Sequence, residues 1–321
     1  MRIFALLACL VSLVALAPAQ GAKADIKSPP GYRPLATTTS PRLQSLLDAA
    51  VADIRSAKNV GPDQVAVTLI DMRDPSALLA ASYRGNERIY PASVVKLFYL
   101  AAIERQLEDS QVKDSPELQR GIRDMIVDSS NEATQYVLDV ITGTSSGAEL
   151  PDKEFKAWQY KRDRVNRWLT AMGYTNINAD QKTFCEDAYG IEQQSRNYNG
   201  ENRNALTTGA VARILAEIVL GRLNSPERTA FMMQLLSRDW TKSSTDLDSQ
   251  ATGFTGRMLI DRKINGAKLW SKAGWTSATR HDAAYVEMPD GQKFVLVVFT
   301  TGHANDRDII PVLAGKILAR L

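Results

Sequence analysis

Between residues 41 and 57 the apolar positions fall at Leu43, Leu46, Leu47, Ala50, Val51 and Ile54. That three-and-four spacing is a helix with one buried face, and the Ser40-Pro41 start suits its first turn. The period then changes. Residues 65–71 (Val-Ala-Val-Thr-Leu-Ile-Asp) predict a strand, and residues 77–83, after Asp74-Pro75, predict its hairpin partner. From Ser93 to about Asp109 the chain is apolar nearly all round, as in a helix enclosed by a core. Helical spacing continues over 117–127, 131–141, 154–172, 207–220 and 226–236. Residues 173–204 are polar and irregular; a stretch of that length inside a domain is functional or poorly ordered. Strands are predicted over 268–272, 282–288 and 294–301, the last two joined by a Pro289-Asp290-Gly291-Gln292 turn, and 307–321 closes as a helix.

Strands at both ends around a helical middle predict an α+β fold. An antiparallel sheet is flanked by N- and C-terminal helices, with an all-α lobe beside it. The expected division is an α/β part at about 41–90 and 255–321 and a helical lobe at about 91–254, all in one domain over 41–321. Residues 25–40, with Pro29-Pro30-Gly31 and Thr37-Thr38-Thr39-Ser40, read as a flexible lead-in.

Composition adds little except by exclusion. A net charge of +3, with no basic run interleaved with aromatics, gives no ground for a nucleic-acid partner. Met1-Arg2, an apolar run to Leu16 and the small residues Ala17-Pro18-Ala19 and Ala22-Lys23-Ala24 have the layout of a secretory signal over 1–24. No other stretch is long and apolar enough for a span, so a periplasmic or secreted protein without stable membrane insertion is expected, acting as a monomer. Removal of the signal leaves Cys185 as the one cysteine, which excludes an intramolecular disulfide. The two histidines, His281 and His303, are too few for a multi-histidine zinc site, and each is expected at the surface or a sheet edge. No metal and no cofactor are expected.

Candidate chemistry begins where the enclosed helix begins. Ser93 and Lys96 are three apart, on one face of its first turn. Burial disfavours a lysine's charge, and a neutral amine can take a proton from a neighbouring hydroxyl. Unpaired N–H groups at a helix start can stabilise a developing oxyanion. Asp128-Ser129-Ser130-Asn131 puts a hydroxyl and a carboxamide at the junction of two helices, where they either cap a helix or line a cleft. Ser271-Lys272-Ala273-Gly274-Trp275 puts a lysine and a glycine on a strand that a substrate or another backbone can approach closely.

Ser-x-x-Lys, Ser-x-Asn and Lys-x-Gly in this order resemble the three signature motifs of the serine β-lactamase and penicillin-binding protein family, most like the class A β-lactamases. The resemblance covers about 41–321 and implies a β-lactamase/transpeptidase-like fold acting on a β-lactam or a peptidoglycan peptide. Position by position it implies Ser93 as the acylated nucleophile and Lys96 as its base or relay. Ser129 would pass the proton to the leaving nitrogen, and Asn131 would bind the substrate amide. Lys272 would steady Ser129 and attract a carboxylate, with Gly274 giving close approach. The N–H groups of Ser93 and Trp275 would form the oxyanion hole, and Arg280 would be a second carboxylate anchor.

Three departures accompany it. Ala273 stands where the family has a hydroxyl, leaving Thr276 or Ser277 to replace it. The interval from Ser93 to Ser129 is short, and 173–204 is enlarged. The loop glutamate that activates the deacylating water has no clean counterpart; Glu192 is the first candidate, with Glu186 and Glu201 open. A β-lactamase is therefore expected, with a D-alanyl-D-alanine peptidase-like or esterase-like enzyme of slow deacylation as the alternative. A silent cell-wall-binding module is a third.

Overall fold

The computed structural model describes residues 25–321; the expected export signal lies outside them. The chain opens with β1 (Thr38–Thr39), α1 (Pro41–Lys58), β2 (Val65–Asp71) and β3 (Leu79–Tyr83). A 3-10 turn, Ala92–Val95, runs into α2 (Lys96–Glu108). Then come α3 (Pro116–Ile126), α4 (Asn131–Thr142), α5 (Asp152–Arg162), α6 (Arg164–Ala171), α7 (Ile191–Arg196), α8 (Thr208–Val219) and α9 (Pro226–Leu236). β4 (Ser237–Arg238), α10 (Thr255–Asp261), β5 (Lys268–Trp275), β6 (Thr279–Glu287), β7 (Lys293–Thr301) and α11 (Ile309–Leu318) complete it.

Among the described residues seven strands form one sheet in the order β1-β3-β2-β7-β6-β5-β4, antiparallel except for β1 on β3. Both chain ends meet at its centre, where Val65–Asp71 pairs with Phe294–Thr300. Side chains alternate between two cores. Val65, Val67, Leu69, Leu296 and Val298 face α1, α10 and α11 through Leu47, Met258 and Leu313. Ala66, Ile70, Val295, Val297 and Phe299 face the helical group, against Phe98, Ala101 and Leu215. Helix α2 runs through that second core, with every residue from Lys96 to Leu107 buried.

Several expectations change. The helix expected over 154–172 is two helices, broken at Asp163. Arg162 and Arg164 flank the break and are both buried. Two apart on an unbroken helix they would point roughly 200° from one another, so the break lets both enter the interior. The lead-in is fastened rather than flexible. Ile26 is buried, and Tyr32 Oη and Leu35 N–H donate to Glu217 Oε1 at 2.7 and 3.0 Å. Glu217 lies inside α8 and needs those donors. Residues 173–204 are also packed: Asn178 to Thr183 are buried, and Asp180 accepts bonds from Gln159 and Asn202 at 3.1 Å each. His281 is fully buried on an interior strand, not at an edge.

Candidate active site

Ser93 sits in the 3-10 turn, immediately after Ala92, whose φ of 45° is left-handed. A non-glycine residue held there stores strain, and such strain gathers at functional sites. Two contacts seat this turn on the sheet. His281 Nδ1 accepts the N–H of Thr300 at 3.1 Å, so its Nε2 carries the proton and donates to Tyr90 O at 2.9 Å. Burial lowers the His281 pKa to about 4, which keeps the ring neutral in that tautomer. Gly274 provides the second contact: a Cβ there would lie 2.7 Å from Ser93 N and 2.8 Å from Val94 N. Only glycine lets β5 approach so closely.

Lys96, three residues after Ser93, is fully buried. Its Nζ donates to Ser129 O, to Ser129 Oγ and Ser130 O at 3.3 Å each, and to Asn131 Oδ1 at 3.0 Å. All four are neutral. Burial lowers its pKa to about 7, with Glu132 and Cys185 pulling the other way. Lys272 Nζ donates to Ser129 Oγ at 2.9 Å, Gln250 Oε1 at 2.7 Å and Ala273 O at 2.8 Å. Burial first, and Lys96 second, push its pKa well below the ordinary lysine range. Ser129, itself left-handed at φ 58°, therefore bridges two lysines through one hydroxyl. Asn131 turns its Nδ2 toward Cys185 Sγ at 3.5 Å. The side chain of Trp275 is partly exposed. Thr276 N bonds Thr279 O in the ladder, so by alternation the Trp275 N–H points away from β6.

Two other residues named from sequence lie elsewhere. Arg280 shares a sheet face with Trp275, opposite Gly274 and Ser93. Its guanidinium is buried on Asp248 at 2.6 Å and over the Phe254 ring at 3.9 Å, so it does not anchor a substrate carboxylate. Glu192 is buried in the first turn of α7. Arg162 NH1 donates to its Oε2 at 2.7 Å and Arg162 NH2 to its Oε1 at 2.8 Å, while Lys182 lies 3.2 Å and Ser146 2.9 Å from Oε1. Burial raises its pKa, but these partners outweigh it and the net shift is downward. Thr276 Oγ1 accepts the N–H groups of Ala278 and Thr279 and so caps its own turn. Ser277 lines a cavity of about 530 Å³ with Tyr90, Phe184, Cys185 and Arg203.

Sequence reasoning missed Gln250, which holds Lys272, and His281 as the clamp on Tyr90. Neither lies in a motif; only the distant pairing of strands and loops brings them in.

The sheet with its helical group is the β-lactamase/transpeptidase fold. The chain belongs to the beta-lactamase enzyme family, whose model matches residues 110–320. That stretch includes Ser129, Asn131 and Lys272, while Ser93 and Lys96 precede it. Among solved structures the chain is similar to a β-lactamase from Sphaerobacter thermophilus DSM 20745, at 18% identity and a TM-score of 0.60, over 86% of this chain and 95% of that one. It is also similar to a β-lactamase from Chitinophaga pinensis DSM 2588, at 16% and 0.60, over 85% and 97%. A PBP-A variant in an acyl-enzyme complex with penicillin G gives 15% and 0.61, over 89% and 98%. At these identities the likeness is one of fold. No curated protein sequence matches the chain significantly.

Proposed function

We propose that this protein is an exported serine hydrolase of the class A β-lactamase type that opens β-lactam rings by acylation of Ser93. The observation that carries this is the pair of buried lysines converging on Ser129 beside the Ser93 turn. Lys96, whose pKa burial lowers to about 7, has its neutral form within reach near physiological pH and takes the Ser93 hydroxyl proton. The Ser93 oxygen attacks the lactam carbonyl, and the N–H groups of Ser93 and Trp275 receive the oxyanion. Ser129 delivers the proton to the ring nitrogen as the C–N bond breaks, leaving an ester on Ser93. Lys272 holds Ser129 and attracts the substrate carboxylate. Asn131 binds the substrate amide.

A second reading concerns the next half-reaction. Among the described residues no carboxylate is hydrogen-bonded to Lys96, and Glu192 is committed to Arg162 and Lys182. That favours slow deacylation and penicillin-binding, peptidase-like behaviour; here Glu192 is structural. The fold neighbour with an acyl-enzyme of penicillin G is consistent with either outcome.

Intact-protein mass spectrometry over time after mixing with penicillin G separates them, with Ser93→Ala as control. An adduct confined to the wild type supports acylation; its persistence supports the peptidase-like reading. Clearance with accumulation of hydrolysed drug identifies a β-lactamase. No adduct with any β-lactam sinks both.

A further inference from the structure

Gln250 lies in the polar stretch between Trp240 and Phe254 and reaches both halves of the site. Its Oε1 accepts from Lys272 Nζ at 2.7 Å and from the N–H of Ala273 at 3.2 Å. Its Nε2 donates to Val127 O at 2.9 Å and Ile126 O at 3.2 Å. Two donors meet the oxygen and two acceptors meet the nitrogen, which fixes the amide's orientation. The two carbonyls belong to the end of α3, which runs through Asp128 into Ser129.

The loop carrying Gln250 is anchored two residues earlier. Asp248 accepts from Arg280 NH1 at 2.6 Å and from Arg307 Nε and NH2 at 3.0 Å each. Arg280 NH2 also donates to Leu247 O and Gly253 O, at 3.2 and 2.9 Å. Arg280 is thus spent on the loop that delivers Gln250.

We infer that Gln250 is a positioning residue for acyl transfer at Ser93, fixing Lys272 against Ser129 and giving the ammonium a neutral acceptor in place of a carboxylate. This rests on the function proposed above. An ammonium paired with a carboxylate has its charge answered within the protein, whereas one paired with an amide keeps it for an anionic substrate. The charged groups acting on Lys272 from the packed elements are Lys96 of α2, Arg238 of β4 and Asp282 of β6. None of the three is among its hydrogen-bond partners.

The test compares Gln250→Glu and Gln250→Leu in the full mature chain. Lys272 is titrated by NMR of lysine labelled with carbon-13 at Cε, assigned with Lys272→Arg, and acylation by penicillin G is timed in parallel. In Gln250→Glu the Lys272 midpoint rises by about one to three pH units, because an opposite charge has been placed beside it. Compared at a pH below the wild-type Lys272 midpoint, where both proteins hold the ammonium, half-saturation by the anionic penicillin then needs roughly tenfold more drug, with the limiting rate less affected. In Gln250→Leu the limiting rate falls roughly tenfold. An unmoved Lys272 midpoint in Gln250→Glu, or wild-type acylation in Gln250→Leu, overturns the inference. If the wild type is not acylated at any pH, the functional reading fails, and the Lys272 midpoint alone decides the role of Gln250.

Discussion

An ammonium buried among neutral oxygens loses the hydration that keeps a lysine charged, and at Lys96 no carboxylate among the described residues is hydrogen-bonded to replace it. The sign of the resulting pH dependence is fixed. With its pKa lowered to about 7, Lys96 gains its basic form as pH rises through that value. Acylation of Ser93 is expected to climb between about pH 6 and 8 and then level off. Lys96→Arg is expected to slow acylation roughly 100-fold or more and to remove that climb, because arginine keeps its proton throughout. An unchanged profile in the arginine variant would remove Lys96 from the base role. This much of the site was legible because Ser93 and Lys96 are neighbours on one helical turn. Arg280 was misread for the converse reason: its strand neighbours do not say which face of the sheet it takes.

At the scale of elements, the segment 173–204 depends on buried charge. Arg162 and Lys182 converge on Glu192, and Arg162 and Lys182 also reach Asp139 of α4, at 3.3 and 2.6 Å. Removing one partner of such a cluster leaves the others uncompensated, so Glu192→Gln is expected to cost about 3 kcal/mol in denaturant unfolding. The lifetime of a Ser93 adduct is expected to stay as in the wild type. An adduct outlasting the wild type's roughly tenfold would return Glu192 to the water-activating role. Strand and helix periods were strong enough to place most elements from sequence. The break at Asp163 and the packing of 173–204 were not visible, since both answer to charges far away along the chain.

Across the whole molecule, residues 25–40 form a strap over both layers. Asp25 pairs with Arg167 of α6 and its carbonyl accepts from Gln111, Tyr32 and Leu35 hold Glu217 of α8, and Thr38–Thr39 pairs with β3. The strap therefore joins the helical group to the sheet. Deletion of residues 25–36 tests this while leaving Thr38–Thr39 in place. That deletion is expected to leave the acidic Glu217 without two of its donors and to lower the unfolding midpoint by several degrees, read by calorimetry. An unaltered midpoint would make the strap dispensable.

The strap and the β2–β7 seam also dictate an order of events. A chain emerging from its N-terminus presents residues 25–40 early, yet Asp25 and Leu35 find their partners in α6 and α8 only 142 and 182 positions later. The centre of the sheet waits longer still, for Phe294–Thr300. Closing such distant pairs is slow, so the strap's helical anchors lock only once Glu217 has been made, and the β2–β7 seam only once Thr300 has.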